Sequence, residues 1–102
     1  MMVDANDVTL VTLAGPITLY EIADVREKLI SALAQGKPLM IDLETSGPWD
    51  LAGLQLMVSA DASARKAGLS IKLVRVPGVC RGIADRSGLA GWLDEVDVAK
   101  AL

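Results

Sequence analysis

This 102-residue chain contains no histidine, and that narrows the chemistry it could perform. Without an imidazole there is no histidine general base, no Ser-His-Asp triad and none of the common histidine-bearing zinc sites. Asp42 and Asp50 stand on either side of the segment Leu43 to Trp49. Two carboxylates brought together can hold a cation or do acid–base work. The competing reading is structural, with Asp42 a strand-end acid bonded to backbone amides and Asp50 a helix N-cap, and the spacing favours it. Cys80 has no histidine or second cysteine to activate it, and reads as a packed thiol. Ser46-Gly47-Pro48 lacks the further glycines and the lysine of a phosphate-binding loop. No catalytic residue, metal ligand or cofactor site is expected, and the chain reads as a non-enzyme.

These residues are organised by the stretch from Pro38 to Gly68. Leu39-Met40-Ile41-Asp42-Leu43 is apolar apart from Asp42, the pattern of a short strand buried on both faces of a parallel sheet. A loop from Glu44 to Trp49 follows, and Asp50 then opens a helix over Leu51–Ala67 that Gly68 closes. Strand, loop and capped helix together form the place where an open α/β sheet presents its working surface. Trp49 in that loop serves either packing or a partner, tryptophan being enriched at binding hot spots.

Before this stretch, Val8–Leu13 reads as a strand, and Ala14-Gly15-Pro16 turns it into a short second one at Ile17-Thr18-Leu19, as a hairpin. Thr18 and Glu21 fit a capping box. Ile22, Val25, Leu29, Ala32 and Leu33 then line one face of a helix. After it, Leu69, Ile71 and Leu73 alternate with polar residues as a strand, and Pro77 starts a third helix that Gly88 ends. Leu89, Trp92 and Leu93 pack a last short element, and Asp94 to Leu102 forms a final strand or a docked coil. The fold class is therefore α/β: a small, mostly parallel sheet of four to five strands, with an antiparallel edge from the N-terminal hairpin, against three to four helices.

The totals agree with one domain spanning 1–102. Apolar residues make up 52% of the chain, so a real core is expected. The net charge of −3 comes from intermixed acids and bases, which argues against a basic face for nucleic acid. Met1 to Asp7 has no basic region or apolar run, so no signal peptide is read there. No apolar stretch approaches the roughly 20 residues that span a bilayer, so no membrane insertion is expected. A cytoplasmic location is expected.

The residues resemble the STAS family, the domain shared by bacterial anti-sigma factor antagonists and the tails of sulfate transporters. The resemblance lies in Leu13-Ala14-Gly15-Pro16-Ile17, Met40-Ile41-Asp42-Leu43, Asp50-Leu51-Ala52-Gly53-Leu54, Ala64-Arg65-Lys66-Ala67-Gly68 and Gly88-Leu89, in that order over nearly the whole chain. It implies the STAS fold and a bacterial regulatory module for protein–protein interaction in partner switching and transcription regulation. The loop and the start of the second helix would dock a partner such as an anti-sigma factor that is also a serine kinase. It also implies partner-binding roles for Trp49, Asp50, Leu51, Gly53 and Leu54. In the family pattern, an aspartate is followed by a phosphorylatable serine or threonine, a small residue and a glycine. Asp50 and Gly53 match, but Leu51 occupies the phosphoacceptor position and cannot be phosphorylated. Two other expectations stand beside this one: a subunit regulating a transporter ATPase or sensory scaffold, and a binder of a nucleotide or lipid at the strand ends. Self-association as a homodimer is also allowed for.

Overall fold

Along the computed structural model, which describes residues 7–101, the elements are β1 (Thr9–Thr12), β2 (Gly15–Ile17), α1 (Ile22–Leu33), β3 (Leu39–Asp42), β4 (Ser46–Trp49), α2 (Leu51–Lys66), β5 (Ile71–Val74), α3 (Gly78–Ser87), α4 (Ala90–Val96) and α5 (Val98–Ala101). A 3-10 turn at Leu19–Glu21 leads into α1. The strands form two parallel ladders, β1-β3-β5 and β2-β4.

In the larger sheet, Thr9, Leu39 and Ile71 stand in register, as do Val11, Ile41 and Leu73. These side chains point to one face, where Leu39, Ile41, Ile71 and Leu73 are buried with Val25 and Leu29 of α1 and Leu54 and Met57 of α2. Along α2, Gly53, Ala60 and Ala64 are buried as well, and their small size lets the helix lie close to its neighbours. The other face carries Leu10, Met40 and Lys72, then Thr12, Asp42 and Val74, all at least partly exposed. The central strand is therefore buried on one face, not both: α1 packs on β1 and α2 on β5, leaving Met40 and Asp42 half-exposed.

The N-terminal hairpin with its antiparallel edge does not form. Gly15, at φ +74, redirects the chain, so β2 leaves the first sheet instead of folding back on β1. Its parallel partner is β4, reached from β3 by a similar corner: Leu13 N–H donates to Asp42 O and Gly15 N–H to Thr45 O. Because β1 and β3 run in parallel and both turn out of the sheet, their continuations stay parallel. The segment read as a loop from Glu44 to Trp49 is thus strand from Ser46 onward. Pro48 is tolerated because this ladder has two strands and β4 is an edge in it.

The C-terminal segment is helical, neither strand nor coil. Asp97 ends α4, and its side chain accepts from Ala99 N–H at 3.0 Å at the start of α5. It also forms a single parallel bridge to Leu73. Arg81 of α3 reaches Asp94 at 2.6 Å and Asp97 at 3.2 Å, fastening this end against the free side of β5.

A second polar tie lies between α2 and α4. Asp61 is 4% exposed, accepts from Trp92 Nε1 at 3.0 Å and pairs with Arg65 at 3.1 Å. Replacing Asp61 by Ala leaves the indole N–H and the guanidinium without this partner. Asp61→Ala is expected to lower the unfolding free energy by about 2 kcal/mol, measured by urea denaturation, and to shift Trp92 emission to the red.

Candidate docking site

Asp50 sits between two helix starts and binds a backbone amide of each. As N-cap of α2 it accepts from Gly53 N–H through Oδ1 at 2.9 Å. Its Oδ2 accepts from Leu19 N–H, also at 2.9 Å, in the 3-10 turn that opens α1. That turn is held by the capping box read from the sequence: Thr18 N–H donates to Glu21 Oε1 at 2.9 Å, and Tyr20 N–H to Thr18 Oγ1 at 3.3 Å. The first amides of a helix have no partner within the helix, so one carboxylate here serves two termini. The Leu19 N–H, and next the Gly53 N–H, hold the Asp50 carboxyl below its ordinary value of 3.8.

Gly53 is needed because nothing larger fits. A Cβ on it would lie 2.1 Å from the carbonyl oxygen of Ile17 at the end of β2. The start of α2 is therefore pressed onto the second ladder, and the Asp50 bridge spans that contact.

Of the residues singled out in the sequence, Trp49, Gly53 and Leu54 turn inward. Trp49 is 7% exposed and Leu54 1%, and Trp49 Nε1 donates to Ser46 Oγ at 2.9 Å. The Trp49 ring therefore belongs to the core, and a partner would meet it only through the residues covering it. Asp50 is half-buried, while Leu51 is 41% exposed. Two neighbours escaped the sequence reading: Leu19 at 66% and Tyr20 at 92% exposed, brought beside the α2 start by the Asp50–Leu19 bond. The Thr18–Glu21 capping box was their one local signal, since it marks a helix start with apolar residues in its first turn. Ser46, the nearest upstream hydroxyl on β4, donates to Leu43 O at 2.7 Å while accepting from Trp49, so local bonds already engage it.

Asp42 does not join Asp50. It is bonded to Arg75, whose backbone lies at φ 54, and accepts from Glu44 N–H at 3.0 Å. Arg75 also pairs with Glu44 at 2.9 Å. The Arg75 guanidinium, followed by the Glu44 amide, lowers the Asp42 carboxyl. Among the described residues, no group of three or more His, Cys, Asp or Glu is placed to hold a metal. Cys80 is fully buried, and burial pushes its thiol up to about 12. A cleft between α1 and α2 holds about 90 Å³ and a groove beside Asp42 and Arg75 about 220 Å³, below the ~300–1,000 Å³ of small-molecule pockets, while two shallow, open grooves between β1 and α1 hold about 550 and 680 Å³. None of the described helices is long and apolar enough to cross a membrane.

Residues 1–96 match the family described as "Mlab, STAS domain". The chain is 33% identical over 89 residues to the anti-sigma-B factor antagonist of Bacillus subtilis strain 168, covering 87% of this chain and 81% of that protein. In fold it is similar to a sulfate transporter family protein from Wolinella succinogenes (TM-score 0.72, 21% identity, 99% of this chain and 86% of that one). It is also similar to the unphosphorylated anti-sigma factor antagonist SpoIIAA (TM-score 0.63, 17% identity, 83% and 78%).

Gly53→Ala is expected to cost about 3 kcal/mol, because the methyl meets a backbone atom that cannot rotate away; the measurement is the loss of thermal stability. Asp50→Asn keeps one acceptor oxygen and loses the other. Since the Asp50 carboxyl is lowered on folding, its stabilisation is complete above 3.8 and disappears as pH falls through the folded value. The stability gap between wild type and Asp50→Asn is therefore expected to be full at neutral pH and to close in acid, read from denaturation midpoints across pH.

Proposed function

Because this chain belongs to the STAS family, we propose that it is a non-enzymatic regulatory module that docks a protein partner, as an anti-sigma factor antagonist does, through the start of α2 and the turn before α1. The observation that carries this reading is the exposed apolar group Leu19, Tyr20 and Leu51 around a carboxylate already bound to two backbone amides. Asp50 and Gly53 shape this surface from within, Trp49 and Leu54 support it from the core, and Leu51 is the contact at its centre. The partner is an anti-sigma factor of the serine-kinase ATPase type, and the module acts in the cytoplasm. With leucine in the phosphoacceptor position the contact is not switched there by phosphorylation. A buried phosphate would bring roughly 1.5–2 negative charges into the interface, whereas Leu51 adds apolar area.

One observation favours a second reading, in which the partner is a transporter ATPase. A module without a hydroxyl at position 51 has no need of a kinase partner, and the fold is also that of a sulfate transporter family protein.

Affinity capture from the native cell with wild type, Leu51→Asp, Tyr20→Asp and the control Ile30→Asp tests the reading. Ile30 is 55% exposed on α1. Leu51→Asp and Tyr20→Asp are expected to lose the ATPase, with affinity down by about 100-fold, the scale of burying an uncompensated charge. Ile30→Asp is expected to keep it. Recovery of the same proteins by all four would place the docking surface elsewhere. Mass spectrometry of the captured ATPase separates kinase from transporter.

A further inference from the structure

The two edges of the β1-β3-β5 sheet are finished differently. Beyond β5, Asp97 bridges to Leu73, and Lys72 Nζ donates to Glu95 O at 2.9 Å, so α4 and its end close that side. Beyond β1, none of the described residues pairs with the strand. Thr9 N–H donates to Pro38 O and Leu13 N–H to Asp42 O, which commits alternate residues of β1 to β3. The residues between them, Leu10 and Thr12, turn their backbone N–H and C=O to the free edge.

Natural edge strands are blunted by lysine, proline or a bulge, because bare amides and apolar side chains invite another strand. β1 reads Thr-Leu-Val-Thr with none of these, and Leu10 is 71% exposed. The groove that runs from this edge along α1 is polarised. Lys37 lies at the end beside Thr9, while Asp24 and Glu27, with Lys28, lie at the end beside Val11.

We propose that the β1 edge pairs with the β1 edge of a second copy of this chain, antiparallel, about a two-fold axis perpendicular to the sheet and midway between the two Leu10 residues. Such an axis keeps the open faces of both sheets on one side and sets Leu10 against Leu10. Both Leu10 residues then exchange their outward N–H and C=O as a hydrogen-bonded pair, with Cα atoms about 5.5 Å apart. The same rotation brings the Lys37 end of each groove to the Asp24–Glu27 end of the other, and this self-complementary charge is what selects a second copy as the occupant. The contact uses none of the residues around Asp50, so it stands or falls separately from the docking reading.

The test is light scattering of the full chain across concentration, with Leu10→Lys, and disulfide formation in Leu10→Cys against the control Val79→Cys, a position 48% exposed on α3. An interface of this small size is expected to give a reversible dimer in roughly the micromolar to millimolar range. Leu10→Lys sets like charges opposite one another across the axis and is expected to weaken the dimer by at least about tenfold, with an unchanged melting curve. Leu10→Cys is expected to cross-link faster than Val79→Cys, its Cα spacing being within the range a disulfide bridges. A chain that stays monomeric, with both cysteine variants reacting at equal rates, would overturn the proposal. So would a dimer unaffected by Leu10→Lys, or one seen only in a variant lacking residues 1–6, which would give the edge to the chain's own leading residues.

Discussion

One carboxylate holding two amides is the contact on which this end of the molecule depends. Asp50 caps α2 through Gly53 and ties down the turn before α1 through Leu19. Only an acid with two acceptor oxygens can do both, since an amide side chain would turn a donor toward one of the two N–H groups. The bridge has the right length because α2 sits directly on the carbonyl of Ile17, a contact that only glycine at position 53 permits. Aspartate and glycine at this spacing are thus one structural device. They shape two helix starts into a single surface before any partner or phosphate is considered.

That separation leaves the position after Asp50 free to vary while the frame set by Asp50 and Gly53 is kept. The residue after Asp50 points outward and takes no part in the cap, so leucine there leaves the fold untouched and changes only what the surface offers. A helix N-terminus tolerates an anion. An anion at this position would therefore not by itself melt the helix. In the docking we propose, the exposed apolar side chain of Leu51 adds to the contact.

The rest of the sheet is asymmetric. Helices α1 and α2 cover one face and leave the other half-open, and α4 closes the β5 edge while β1 stays bare among the described residues. Polar ties are placed where helices must hold position: Asp61 between Trp92 and Arg65, and Arg81 between Asp94 and Asp97.

Most element starts and stops were legible in the sequence because their causes are local. Thr18 with Glu21, Asp50 three residues before Gly53, Pro77 and Gly88 each act on amides or dihedrals within a turn of themselves, and the apolar stripe of α1 follows from its own period. The resemblance carried the motif Asp50 to Leu54, but not which of its side chains face solvent. The partnership of β2 with β4, the covering of one face only, the burial of Trp49 and the exposure of Leu19 and Tyr20 were decided by tertiary structure. Each depends on which distant segments meet. Hydrogen bonds such as Leu19 to Asp50 join residues far apart in the chain, and no local pattern of residue types encodes such a meeting.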